Sequence, residues 1–304
     1  MALVLPYILI VLACLLSSCQ MGFTKGYSAK YGDGMRAVYR FSCLSGIVYA
    51  VLMTVKSLIM KEALTMTGFS FIIAVVFALI NAVCILFMFG AFENGEASKV
   101  VLFSNLGLLV LPTLFGFSGI LYPREEVNSG KIICLILVAA ALFVNIDLKA
   151  KSGNAKKALV FYLVLFVMNG LAGITQAYHQ SKLGVYDCAD ENSLMIMIML
   201  LYAVMCFIVL TVLRIKNGKG EKIDNLPLCI GLAAGNGMLY GVSNLLTTIS
   251  LATIDASIQY PILTGGAIVL GGLIGKIFGE SLNWKFAVSS VLVILGTCAM
   301  WLLG

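Results

Sequence analysis

Ten long apolar runs, almost free of charge, decide what this chain can fold into. They are Leu3–Thr24, Ala37–Val55, Thr67–Phe92, Val100–Tyr122, Val127–Ile146, Ala158–Gln180, Asn192–Leu213, Asn225–Ser250, Ala256–Phe278 and Phe286–Leu303. A helix needs about 20 apolar residues to cross roughly 30 Å of hydrocarbon, and each run is of that order. Arg40, Lys131 and Lys276 are the formal charges inside them, each near a run's end. No connection is long enough for a soluble domain. A barrel is excluded because its strands would alternate apolar and polar residues. The expectation is an all-α integral membrane protein with ten transmembrane helices, multi-pass in a cell membrane.

Composition agrees. Of 304 residues, 61% are hydrophobic and 11% charged, against about 25% charged in a soluble domain. The net charge of +6 comes from residues scattered singly or in short runs between the apolar segments. That pattern points to lipid and a small molecule as partners, and not to nucleic acid. The nine cysteines include no C-x-x-C pair, and only Cys188 lies outside an apolar run. Neither a disulfide framework nor a zinc site is expected. Leu16-Ser-Ser-Cys19 has the shape of a lipoprotein cleavage box. The first 24 residues carry no Lys or Arg, so a signal peptide lacks its basic region and a first membrane helix is expected instead.

The polar linker Asp147–Lys157 divides the runs five and five. Displacing the first half by 155 residues places Ala78 on Ala233, Asn81 on Asn236, Ala97 on Ala252, Gly116 on Gly271 and Glu125 on Glu280. One further residue of offset places Gln20 on Gln176. Odd helix counts insert the two halves in opposite senses. The expectation is therefore two inverted five-helix repeats, residues 1–150 and 151–304, a plan used for alternating access around a midplane site.

The stretch Thr253-Ile-Asp-Ala-Ser-Ile-Gln-Tyr-Pro-Ile-Leu-Thr-Gly-Gly266, followed by Lys276-Ile-Phe-Gly-Glu-Ser-Leu-Asn-Trp284, resembles the end of the EamA-type repeat of the drug/metabolite transporter superfamily. A weaker copy runs from Leu111-Pro-Thr-Leu-Phe to Pro123-Arg-Glu-Glu-Val127; there Pro112 falls on Ala267 rather than on Pro261. The resemblance implies a ten-helix carrier of small metabolites. Small relatives in that superfamily use a membrane-embedded glutamate in the first helix to exchange protons for cationic drugs. Here that helix offers Ser17, Ser18 and Gln20 and no acid, which argues against that chemistry.

Nothing suggests an enzyme or a cofactor. His179 is the only histidine and stands at the end of a run, as an interfacial residue would. No phosphate-binding glycine loop is present. Polar residues inside the spans carry more information, because they face the bundle interior or a wet cavity. The candidate substrate-binding set is Gln20, Asn81, Asn105, Gln176, Asn236, Tyr240, Gln259 and Tyr260. Ser104, Asn169 and Asn244 are of the same kind. Amides and hydroxyls both donate and accept, and no acid lies deep in any span. The expected solute is therefore small, polar and neutral or zwitterionic: an amino acid, nucleoside or sugar. The bland alternative for each residue is a hydrogen bond between helices. Arg40 is either a counter-charge for an anionic group or a snorkelling side chain. Asp255 suits a helix N-cap, Pro261 a helix kink beside the site, and Glu125 and Glu280 structural roles. Gly231, Gly235, Gly271, Gly275 and Gly279 recur every four residues, as close helix contacts require.

Loop charge sets the expected orientation. Connections 1–2, 3–4, 5–6, 7–8 and 9–10 hold 14 basic residues, from Lys25 to Lys285; the other connections hold five. The positive-inside rule then places both termini outside, against the habit of the superfamily. A secondary transporter, monomeric or homodimeric, is the leading reading. A non-transporting scaffold or a channel is the alternative, although no charge ring or filter-like loop supports a channel.

Overall fold

The computed structural model describes residues 5–121, 126–145, 153–218, 223–251, 256–280 and 284–303, with side chains except at 6, 153–155, 248, 251, 256–262 and 301. Ten helices run in order: α1 Leu5–Tyr31, α2 Met35–Met60, α3 Gly68–Asn94, α4 Ala97–Ser118, α5 Ser129–Asn145, α6 Gly153–Ser181, α7 Glu191–Asn217, α8 Leu226–Leu251, α9 Ala256–Ile277 and α10 Trp284–Leu302. No strand occurs among the described residues. Hydrocarbon offers no partner for a bare peptide group, so a spanning segment must satisfy its own backbone as a helix. Seven helices are long and apolar enough to cross a membrane. The apolar stretches of α5, α9 and α10 within the described residues are shorter.

Eight helices form a closed circuit by packing in turn: α1 on α8, α8 on α2, α2 on α7, α7 on α3, α3 on α6, α6 on α4, α4 on α9, and α9 back on α1. The α5–α10 pair packs together outside it, chiefly against α9. Bonds between connections sort the helix ends onto two sides. On one side Arg36 donates to the Gly218 carbonyl (3.0 Å), Lys30 pairs with Asp224 (3.0 Å) and Lys25 approaches Glu280 (3.7 Å). This is the side of the basic connections. On the other side Thr65 of the α2–α3 connection donates to Asp190 at the head of α7 (3.0 Å).

The outer surface, unlike that of a soluble protein, is largely apolar. Large apolar side chains stand exposed at helical spacing: Ile47, Val51 and Leu58 on α2, Ile72, Val76 and Leu79 on α3, and Val160, Leu163, Val167 and Leu171 on α6. Ser18, Thr24, Ser45, Ser70, Asn236 and Ser243 are buried instead. Those apolar stripes suit acyl chains, and these buried polar groups other than Ser18 find partners inside the bundle. Arg40 lies seven residues before Ile47 on α2 but is half-buried, with its charge within electrostatic reach of Tyr27 and Tyr31 of α1.

Small residues set the helix separations. A methyl group on Gly237 would stand 2.3 Å from the Ser45 carbonyl oxygen of α2. One on Gly170 would meet Leu111, and one on Gly173 the ring of Pro112 at 2.8 Å. Pro112 therefore sits inside α4 against a glycine that makes room for it. Of the glycines spaced four apart, Gly235, Gly271 and Gly275 make close approaches, to Phe23, Val101 and Glu280. Gly231 faces open space. Gly279 holds a left-handed turn with φ +82°, so its place in the pattern reflects the end of a helix.

Leucine at Gly237 forces α8 away from α2. Overpacking of this kind typically costs about 1–3 kcal/mol. Gly237→Leu is expected to lower the thermal midpoint in detergent by several degrees, whereas Gly231→Leu leaves it unchanged. Fluorescence-detected unfolding of the two purified variants checks the pair.

Candidate functional site

Helical spacing places the polar residues opposite the lipid-facing stripes. On α3, Asn81 shares a face with Ala74, Phe77 and Ala78, all buried. On α6, Asn169 and Gln176 share a face with Leu165, Ala172 and His179. On α8, Tyr240 lines up with Ala233, Asn236 and Ser243. These faces point into the circuit, yet Asn81, Asn169, Gln176, Tyr240 and Asn244 are only half-buried.

The waist is built from three contacts. The Asn244 amide donates to the Tyr49 hydroxyl of α2 at 3.0 Å and is also hydrogen-bonded to the Tyr240 hydroxyl. The two tyrosine rings lie 5.1 Å apart. Across the circuit, Asn169 donates to the Cys84 sulfur of α3 at 3.3 Å and to its own helix at Leu165. Asn81 makes no hydrogen bond through its side chain within the described residues.

The other candidates divide. Asn236 is committed to packing. Its amide donates to the Gln20 carbonyl at 3.1 Å and to the Thr24 hydroxyl at 2.8 Å, and its oxygen accepts from Ser45 at 2.6 Å. One side chain thus joins α1, α2 and α8. Gln20 enters this contact through its backbone. Asn105 folds back onto the Val101 carbonyl of its own helix at 2.8 Å. Gln176 lies near the far end of α6 and donates to Glu191 at 3.1 Å. The structure therefore links Tyr240 and Asn244 to Tyr49, and Asn169 to Cys84 one turn from Asn81 on α3, whereas Asn105 and Gln176 are bonded elsewhere. The side chains of Gln259, Tyr260 and Pro261 lie outside the described residues, as do Asp255 and Glu125. Tyr49 completes the site; as an aromatic in an apolar run, nothing in the sequence distinguished it.

A polar lacing ties the circuit on the side away from the basic connections. Asp190 caps α7 by accepting from the Ser193 amide at 3.0 Å, and it also accepts from the Ser193 and Thr65 hydroxyls. Partial burial disfavours its charge. Those bonds outweigh the burial and hold the Asp190 carboxyl below its ordinary value. Beside it, His179 near the end of α6 is buried against protein: its Nε2 lies 2.8 Å from Ser70 Oγ, and that oxygen accepts from the Ala189 amide at 2.8 Å. No group of metal-ligating side chains occurs among the described residues.

No family model and no curated protein matches this chain. It is similar to a solved structure described as "Crystal structure of protein", with a TM-score of 0.62, 12% identity and coverage of 96% of each chain. At that identity the likeness is one of fold alone.

Two outcomes follow from this geometry. Asn236→Leu strips partners from Thr24 and Ser45 and should lower stability by about 1–2 kcal/mol, since membrane-buried hydrogen bonds average about 0.6 kcal/mol each. Asn81→Leu breaks no side-chain bond among the described residues and should leave the thermal midpoint in place. For Asp190, a folded pKa below the unfolded one means a contribution that is full above about pH 4. It fades as pH falls through the folded value. The stability gap between the parent and Asp190→Asn should therefore be widest near neutrality and close in acid, as a thermal-shift series in pH would record.

Proposed function

We propose that this chain is a secondary transporter of the EamA-like, drug/metabolite type, carrying a small neutral or zwitterionic polar solute by alternating access. In this reading residues 1–150 and 151–304 are inverted repeats, all ten helices cross a cell membrane, and both termini lie outside. The observation that carries it is the pattern of helix packing. Exchanging α1–α5 for α6–α10 turns the α1–α8 contact into α6–α3, α1–α9 into α6–α4, α2–α8 into α7–α3, and α9–α10 into α4–α5. Every one of those contacts is present. The α2–α7, α4–α9 and α5–α10 contacts map onto themselves, as contacts across a two-fold axis would.

The waist suits such a solute. Asn81, Asn169, Tyr240 and Asn244 offer donors and acceptors, contributed by both halves and partly reachable, with buried Tyr49 behind them. None is charged, so the cost of desolvating a fixed charge in the bilayer is avoided. Asn81 in particular has an amide with no side-chain bond to lose among the described residues when a solute arrives. Asn236 belongs to the framework in this reading, and Glu280 is structural, because its carboxylate accepts from the Ala97 amide at the head of α4 at 2.6 Å.

Purified protein in liposomes, offered amino acids, nucleosides and sugars, should accumulate one of these classes. Asn81→Leu and Tyr240→Phe should each cut that uptake by about tenfold, because one hydrogen bond to a desolvated solute is lost. Failure of the parent to carry any of them, or full uptake by both variants, would overturn the proposal.

A further inference from the structure

The two ends of the helix circuit differ. On the side of the basic connections, three aromatic side chains from three helices meet inside it. Tyr27 of α1 lies 4.7 Å from Phe41 of α2 and 5.9 Å from Phe89 of α3, ring centre to ring centre, and Phe41 lies 5.4 Å from Phe89. All three are essentially inaccessible. The Tyr27 hydroxyl is 3.4 Å from the Cys229 sulfur, which brings in α8. At this level α1 reaches across the circuit to α3. The contact that exchange of the halves would generate, α6 on α8, is at most marginal among the described residues.

The offset of 155 residues explains why. It carries Tyr27, Phe41 and Phe89 onto Lys182, Ile196 and Asn244, so the second half does not repeat this trio; the other end has a looser cluster, Phe69 of α3 against Tyr178 and His179 of α6 and against Tyr186, in which Phe69 and Tyr178 are only half-buried and Tyr186 is exposed. The waist residues Asn81, Asn169 and Tyr240 retain partial exposure while facing inward. The buried aromatic layer offers them no path on the side of the basic connections.

Beside the aromatic layer sits Lys25. Its ammonium donates to the Phe92 carbonyl at the end of α3 at 2.7 Å and lies 3.7 Å from Glu280. It also stands 5.5 Å above the Phe92 ring. One side chain thereby ties α1 to the end of α3 and to the α9–α10 turn.

We propose that Tyr27, Phe41 and Phe89 are the gate on the side of the basic connections, that Lys25 is its latch, and that the conformer described is the one closed on that side. The inference rests on the transporter reading. In the other conformer α1 and α3 part, the aromatic layer opens, and the second half closes over the waist from the far side.

Accessibility tests this without a known solute. Asn81→Cys places a thiol at the waist, and a charged, membrane-impermeant maleimide is applied to right-side-out and to inside-out membrane vesicles. Lys216→Cys marks which vesicle presents the basic side. Peptide mass spectrometry separates the introduced thiol from the nine native ones. The waist thiol should react from the side away from the basic connections. Adding Lys25→Met, or Phe89→Ala as a second and independent variant, should raise labelling from the basic side by about tenfold and lower it from the other, as a shifted two-state equilibrium requires. Lys25→Arg should restore the parent pattern. Labelling that rises on the basic side with no fall on the other marks a structural seal, and equal labelling from both sides in the parent marks a pore. Either overturns the gate. A reciprocal shift in a protein that carries no tested solute would count against the transport assignment and not against the gate.

Discussion

Lipid supplies no hydrogen bonds, and everything else in this fold follows from that. Each peptide group must be satisfied within its own helix. Once the helices form, hydrocarbon tails compete with any apolar contact between them, so burial of leucine does not drive association. What holds the bundle is close approach and a few polar contacts. The glycines at 170, 173 and 237 permit the first. The second needs the first: Asn236 reaches α1 and α2 together because its neighbour Gly237 lets α8 lie against the Ser45 carbonyl.

The same economy separates framework from site. An amide in the bilayer must find partners or face water. Asn236 touches three helices and has both donors and an acceptor engaged. Asn105 settles for its own helix. Asn81 does neither, although it shares a helix face with three buried residues. An inward amide left in that state is tolerable only where water or a solute supplies the missing bonds. Residue type does not distinguish these roles. The number of helices within reach does.

This is also where the sequence was legible and where it was not. Ten helices could be read because length and apolarity alone specify a span. The polar residues could be found for the same reason, each being conspicuous in its run. Their division could not, since a span's sequence says nothing of which helix lies opposite. Gly279 fits the four-residue glycine pattern and yet ends a helix. His179 at a span's end suggested the interface and is buried against Ser70. Lys25 fell just past the first apolar run, although α1 continues to Tyr31. Tyr27, Phe41 and Phe89 were invisible, because an aromatic in an apolar run looks the same whether it meets lipid or another aromatic.

A latch has to be breakable, and the surroundings of Lys25 and Glu280 make theirs so. A buried ion pair that loses one partner normally leaves an uncompensated charge, which is very costly. Here each charge also has a helix end of its own. Glu280 accepts from the Ala97 and Ser98 amides at the positive end of α4, at 2.6 and 3.4 Å. Lys25 donates to the Phe92 carbonyl at the negative end of α3. Helix dipoles stabilise both charges in the sense observed. The direct pair is meanwhile loose, at 3.7 Å. The link between α1 and the α9–α10 turn can therefore part while Glu280 keeps its bonds to the head of α4. Lys25 needs only to reach the interface, which its four-carbon stem allows from a position six residues short of the end of α1. An ion pair with no other bonds at this depth would act as a rivet; one shared between two helix ends can open.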